Sequence, residues 1–314
     1  MELRRFRLRL DPLSPFGTPP TSGTLFGHLC WAKRAHEGRE ALRAWLARLP
    51  AEPVALSDLL PTDHLPRPLL APGSAEPGED AKTLRKRRYL PLEAWRRLRV
   101  GATARALDDL LRRAGADPAF LERARVPHNR IDRASGKTPE AGGGGLWFAE
   151  DLWPAADAKG NGRTAADLYV RSALPAREVE ALLARLGETG FGRDASTGRG
   201  RFRVEGSEPM GWLDETPKGS GAARMLSLSQ GVVTANMRAP RWRRFVLFGK
   251  IGREMTAEGK RPWKLPLVLA EAGATFAPAD GGPYGAWITG VHQDDREIGH
   301  NAFHLAIPYT EAAA

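Results

Sequence analysis

Cysteine is nearly absent from this chain: Cys30 is the single thiol in 314 residues. That excludes an intramolecular disulfide and any C-x-x-C metal site, and it suits a reducing compartment. Long hydrophobic runs are missing as well. No stretch approaches the roughly 18 consecutive apolar residues of a membrane-spanning helix. The opening residues MELRRFRLRLDP alternate charged and apolar positions instead of forming the apolar core of a signal peptide. The expectation is a soluble cytoplasmic protein with no membrane partner. Lysine is also scarce, 9 residues against 38 arginines.

What is present is positive charge. The formal net charge is +10, carried almost wholly by a side chain that binds phosphate bidentately and stacks on bases. A polyanionic partner follows, with nucleic acid the commonest, although a basic surface also serves solubility or meets an acidic protein. The length suits two domains and the 42% apolar content suffices for a core.

Along the chain, Phe6, Leu8 and Leu10 share one face of a period-two strand and Arg5, Arg7 and Arg9 the other. A proline-rich turn follows, and Thr21 or Ser22 is placed to cap a helix. Leu25, Phe26, Leu29 and Cys30 then recur at helical spacing, which resumes after Gly38 with Ala41, Leu42, Trp45, Leu46 and Leu49. Residues 50–80 read as a long surface connection. Residues 81–99 hold eight Lys/Arg against one Glu, with Tyr89 and Trp95 interleaved. A solvated helix face explains such a tract, and the aromatics add a nucleic-acid option. Residues 126–153 suit a long hairpin or finger around polar turns and the glycine run at 142–145. A strand at 166–172, an amphipathic helix at 178–186 and a strand at 201–205 follow. With 146–148 as a further strand, the order is β-α-insertion-β-β-α-β, a ferredoxin-like split βαβ arrangement. Beyond the polar break at 206–221, strands are expected at 224–228, 245–249, 286–291 and 303–307. The predicted class is α+β: two ferredoxin-like domains at 1–207 and 208–314. The insertion falls at about 81–145 in the first, and the second is degenerate.

The richest motif is TGFGRDASTGRGRF at 189–202, with four glycines and three arginines. A P-loop requires G-x-x-x-x-G-K-[ST] between strand and helix, and a dinucleotide turn requires G-x-G-x-x-G after a strand. Here a helix precedes the loop, a strand follows, and neither spacing is met. What remains is a loop whose glycines let the backbone approach a ligand beside Arg193, Arg199 and Arg201. A tight turn with no ligand is the plainer alternative. His300 and His304 lie four apart in a strand-like segment, about 13 Å along one face and too far to share a zinc. No metal and no cofactor are expected. His28 alone offers a general base, with no visible partner and an equal case for packing.

These pieces resemble the RAMP superfamily of CRISPR proteins, and within it the type III-A (Csm) subunits that hold the 5′ handle of the guide RNA. The resemblance rests on LDPLSPFGTPPTSGTLFGHLCWA at 10–32, HNRIDRASGKT at 128–138 with GLWFAEDLW after it, FGRDASTGRGRF at 191–202, and the closing segments YGAWITGV and GHNAFHLAIPY. Residues 50–120 carry none of it. The family often has Ser-Asp before its Thr-Leu-Phe-Gly segment, and this chain has Ser22–Gly23.

The resemblance implies a non-catalytic subunit that contacts the crRNA 5′ handle and nearby target RNA, a large HD/polymerase-domain subunit and the backbone RAMP subunit. The residues it points to for RNA are Pro15, Thr18, Thr21, Ser22, Thr24, Phe26 and His28 in the first segment. The finger adds Asn129, Arg130 and Arg133. The loop adds Phe191, Gly192, Arg193, Ser196, Thr197, Gly198, Arg199, Gly200 and Arg201. Backbone N–H groups and hydroxyls would take phosphate and 2′-OH groups. A repeat-RNA endonuclease of the same superfamily, with His28 as base, and a purely structural assembly protein are the competing readings.

Overall fold

The computed structural model describes residues 1–72, 80–138, 145–155, 164–219 and 221–312. It is a mixed α/β protein built on antiparallel sheets. Strand β1 (Leu3–Leu10) lies at the centre of the first sheet, antiparallel to β8 (Ala165–Arg171) and β9 (Phe202–Pro209). Two short strands, β2 (Ala55–Leu56) and β3 (Leu60–Pro61), both pair with β8, so the sheet order is β2-β8-β1-β9. Helices α1 (Ser22–Arg48, broken at Gly38) and α5 (Ala176–Thr189) supply Leu25, Leu29, Leu182 and Leu186 to a core that includes Phe6, Leu8 and Leu10. The period-two and period-3.6 patterns in the sequence are therefore the core itself.

The arginine face of β1 is not an open basic surface. Arg7 Nε lies 3.0 Å from the buried carboxylate of Asp167, Arg5 Nη1 lies 3.3 Å from it and 2.5 Å from Asp63, and Arg9 pairs with Glu205. Leu3, on the arginine side, is buried in a second core.

Burial overturns the reading of residues 50–80 as a surface connection, with Val54, Leu56 and Leu59 in the first core and Leu60 and Leu65 in the second. Val54, Leu56, Leu59, Leu60 and Leu65 are all buried, and 73–79 lie outside the described residues. The strands here, including β4 (His64–Pro66) on β5 (Tyr89–Pro91), are two or three residues long. Prolines at 50, 53, 61, 66 and 68 cut the pattern below the length at which alternation is visible. Helices α2 (Ala81–Lys86), α3 (Leu92–Leu98) and α4 (Ala104–Ala114) pack Leu84, Trp95, Leu98, Leu107 and Leu111 on Leu3 and Tyr169. Trp95, interleaved in the basic tract, is fully buried and edge-on to Tyr309. The basic tract is thus largely the solvated side of helices whose other side builds a core.

A further correction concerns residues 146–148. They begin β7 (Leu146–Pro154), which pairs with β6 (Leu121–Asn129) through nine residues as a finger. Its base joins the proline-rich turn through a Phe16–Leu152 bridge. The place expected for that strand in the sheet is taken by β2 and β3. Most of the glycine run at 142–145 lies outside the described residues.

After α6 (Gly211–Asp214), a four-stranded sheet has the order β11-β14-β10-β17, with β10 (Ala222–Ser227), β11 (Met237–Arg241), β14 (Thr275–Pro278) and β17 (Ala306–Glu311). Two ribbons flank it: β12 (Arg244–Leu247) with β13 (Leu267–Ala270), and β15 (Gly285–Ile288) with β16 (His300–Phe303). A short α7 (Arg253–Ala257) lies between β12 and β13. The single strand expected at 303–307 is two strands divided at His304 and Leu305.

Candidate nucleic-acid interface

Helix α5 ends at Gly190, where φ is +89°, and the chain enters the glycine loop. A 3-10 turn at Ala195–Thr197 sits at its tip between Asp194 (φ +60°) and Gly198 (φ +93°). The loop is sewn to the proline-rich turn. Gly200 N–H donates to Pro15 O (3.0 Å) and Arg193 N–H to Thr18 Oγ1 (3.0 Å). The Ser14 hydroxyl donates to Gly198 O (2.6 Å) while accepting from Arg201 N–H (2.8 Å). Glycine is required at 17 and 200 for this approach. A Cβ on Gly17 would stand 2.6 Å from Arg193 O, and one on Gly200 2.4 Å from Phe191 O at φ +67°.

One side chain the sequence reading missed organises the rest. Asp151, on β7 at the base of the finger, is fully buried. Arg193 Nη2 donates to its Oδ1 (2.9 Å) and Arg199 pairs with its Oδ2. Arg193 also donates to Glu150 O (2.9 Å) and Gly17 O (3.2 Å). Two of the three loop arginines therefore tie the loop to the finger, and Arg201 stays exposed. A strand-parity argument could have placed Asp151 inward, yet nothing in one sequence tells an inward aspartate from an outward one.

His28 faces the loop from α1. Gly192 N–H donates to its Nε2 (3.0 Å), and the ring packs 4.7 Å from Phe191 between centroids. Burial pushes its pKa down to about 4. The imidazole is neutral, and the nitrogen a general base would use is already an acceptor.

No protein-family model matches the chain, and no curated protein matches its sequence. Solved structures do match over nearly the whole length. A chain in the crystal structure of a Csm1-Csm4 cassette with AMPPNP aligns at TM-score 0.58 and 19% identity, covering 99% of both chains. The same cassette with cA4 gives 0.58 and 18%, again over 99% of both. A chain in the Csm3-Csm4 subcomplex of the type III-A CRISPR-Cas interference complex gives 0.57 at 12%, covering 97% of this chain and 99% of that one. The fold is that of a Csm-complex subunit.

On this Csm fold the expected RNA residues separate into three groups. Ser196, Thr197, Arg201, Asn129, Arg130 and Arg133 are exposed, and Thr18, Thr21, Thr24, His28, Gly192, Arg193, Gly198 and Arg199 are half-buried. Pro15, Ser22, Phe26, Phe191 and Gly200 are buried. Phe26 sits between Trp45 and Trp287, and Phe191 against Phe16, so neither ring is open to a base. The Ser22 hydroxyl donates to Gln230 O (3.3 Å), and its N–H donates to Asp58 (2.8 Å). The cap of α1 is therefore Asp58, from the loop between β2 and β3, while the Thr21 and Thr24 hydroxyls bond each other (3.2 Å). An added Cβ at Gly23 would stand 2.5 Å from the buried His300 ring, so a larger residue there requires that ring to move.

His300 and His304 are buried and structural. His304 Nδ1 bonds the Ser227 hydroxyl (2.7 Å), and burial pushes His300 and His304 down to about 3 and about 4. Among the described residues no group of three His, Cys, Asp or Glu is placed to hold a metal, and no helix is long and apolar enough to cross a membrane. Two exposed surfaces were not anticipated. The finger shows Trp147 and Phe148, 47% and 54% exposed, with His128 stacked on Trp147 and the Arg125 guanidinium 4.8 Å over Phe148. The β12–β13 ribbon shows Val246 and Val268, and the segment joining its strands shows Phe248 and Trp263.

Proposed function

We propose that the chain is a non-catalytic RNA-holding subunit of a type III CRISPR effector complex. In this reading the glycine loop and the start of α1 anchor the repeat-derived 5′ handle of the crRNA. The finger stands beside the first guide–target base pairs. The observation that carries it is the Asp151 clamp. One buried carboxylate joins a finger bearing exposed aromatic and basic groups to a loop with an open polar tip. At that tip the N–H groups of Asp194, Ala195 and Ser196 have no acceptor among the described residues, and Ser196 and Thr197 are exposed, the Thr197 hydroxyl donating to Asp194 O (2.8 Å). Such donors suit phosphate and 2′-OH groups, and exposed aromatics suit unstacked bases.

The order β2-β8-β1-β9 with α1 and α5 on one face supports a ferredoxin-like first domain over 1–207. The β10-containing sheet, with short helices only, supports a degenerate second domain over 208–314. Docking to the large polymerase-type subunit and the backbone subunit is supported by Csm4 being the component common to the two kinds of matching complex, and by the exposed apolar ribbon face, which marks an association surface. The nuclease alternative is weakened by the committed Nε2 of His28.

The test is titration of handle RNA against salt. Arg130→Gln, Arg133→Gln and Arg201→Gln should each reduce the slope of log K against log salt by roughly 0.7 per lost contact to a single strand. Unchanged affinity and slope in all three would remove the assignment.

A further inference from the structure

A cavity of about 360 Å³ lies between the N-terminus of α1, the β4–β5 pair, the finger base and the β12–β13 ribbon. Its volume falls at the lower end of the roughly 300–1,000 Å³ typical of ligand pockets. Most of its wall comes from residues 58–123, the part of the chain outside the motifs discussed above.

The charge on that wall is unbalanced. Arg67, Arg87, Arg88, Arg123 and Arg243 line it, against the carboxylates of Asp58 and Glu271. Arg87 is taken by Asp117 (2.7 Å) and Arg123 by Glu150 (3.2 Å). Asp58 is taken by the N–H groups of Ser22 and Gln230, and burial pushes its pKa up to about 6. Arg88 and Arg243 have no carboxylate partner among the described residues. The nearest carboxylate to Arg67 is Asp108 at 3.8 Å, and its Nε is buried without an acceptor among the described residues. Burial, only partly offset by Asp108 and reinforced by the neighbouring charges of Arg243 and Arg85, pushes the Arg67 pKa down. Arg67, held only by a long contact to Asp108, thus shares the cleft with the exposed Arg88 and Arg243, which have no carboxylate partner among the described residues, and positive charge outweighs negative on this wall. Rings line the same cavity: Tyr89, with Phe120 edge-on to it and Arg88 over its face, and the half-buried Phe245.

We propose that this cavity binds a nucleoside phosphate, with the phosphate held by Arg67, Arg88 and Arg243 and the base packed against Tyr89, Phe120 and Phe245. Cations alone would suit any anion. The aromatic wall beside them selects an anion that carries a flat ring. The ligand is either one nucleotide of a bound strand or a free mononucleotide, and the site is separate from the glycine loop.

Calorimetric titration of the purified chain with adenosine and uridine 5′-monophosphate, and with inorganic phosphate, tests this. A parallel anisotropy titration uses a short single-stranded RNA. Variants are Arg67→Gln and the exposed Arg243→Gln, with Arg177→Gln on α5 as a charge-matched control, each checked for an unchanged unfolding midpoint. If the source is a free nucleotide, a monophosphate binds about tenfold or more tightly than phosphate, and both pocket variants lose about tenfold. If the source is a strand, the monophosphates bind no better than phosphate, while the RNA loses about tenfold more in the pocket variants than in Arg177→Gln. The proposal is overturned if the monophosphates match phosphate and the RNA responds equally to Arg243→Gln and Arg177→Gln.

Discussion

Replacing Asp151 by asparagine removes one charge and leaves the shape. In the wild type that carboxylate is fully buried and faces Arg193 and Arg199, whose side chains are 37% and 15% exposed. Removing one partner of a buried ion pair costs about 3–5 kcal/mol, because the remaining charge loses its compensation. Solvent at Arg193 screens part of this, so the expected loss is about 2–3 kcal/mol. For a chain of this size that lowers Tm by about 4–12 °C. The loss is local in origin, so hydrogen exchange should accelerate at amides 190–200 and 146–154 before the sheet amides respond. Adding Arg193→Gln and Arg199→Gln to Asp151→Asn should recover most of the stability, since no uncompensated charge remains. A Tm within 1 °C of wild type, with unchanged exchange in both segments, would refute the clamp.

Stability should fall between pH 7 and pH 5. His28, His300 and His304 have folded pKa values of about 4, 3 and 4, below the ordinary 6.5. Their contribution is therefore complete above pH 6.5 and lost as pH falls through about 4. Asp58, raised to about 6, works in the opposite sense but is one group against three, and urea midpoints at the two pH values read the balance. Gly187→Ala should cost about 1–3 kcal/mol in urea unfolding, because the added Cβ meets Phe202 O at 2.2 Å where α5 crosses β9. Trp95→Ala should cost about 3–5 kcal/mol. It would show that the segment 50–120 builds core, and a loss below 1 kcal/mol would return that segment to the surface.

The elements readable in the sequence were those long enough to express a period. β1, α1, α5 and the finger each span seven residues or more, and Phe6, Leu8, Leu10, Leu182 and Leu186 lie inside as their spacing requires. β2, β3 and β4 are too short to show alternation. Their burial depends on α1 packing on β2 and on helices α3 and α4 closing over the β4–β5 pair, a long-range arrangement that no local window contains. The four-residue strands β13 and β14 and the five-residue β11 were missed for the same reason, since each is bounded by proline, glycine or asparagine. At the site, the loop and the finger were legible as glycine, arginine and turn patterns. Their joining was not. Arg193 and Arg199 read as free cations because the carboxylate that takes them is some forty residues away in the chain. Phe26 and Phe191 read as candidate contacts and proved to be packing, a distinction set by Trp45, Trp287 and Phe16 in space.

The central claim is that the loop and finger hold RNA and do not cut it. Photo-crosslinking of handle RNA to the purified chain, followed by peptide mapping and an assay of RNA integrity, tests it most directly. The account predicts crosslinks within 189–202 and 126–148 and an intact strand after prolonged incubation. Cleavage that disappears in His28→Ala, or crosslinks confined to other segments, would contradict it.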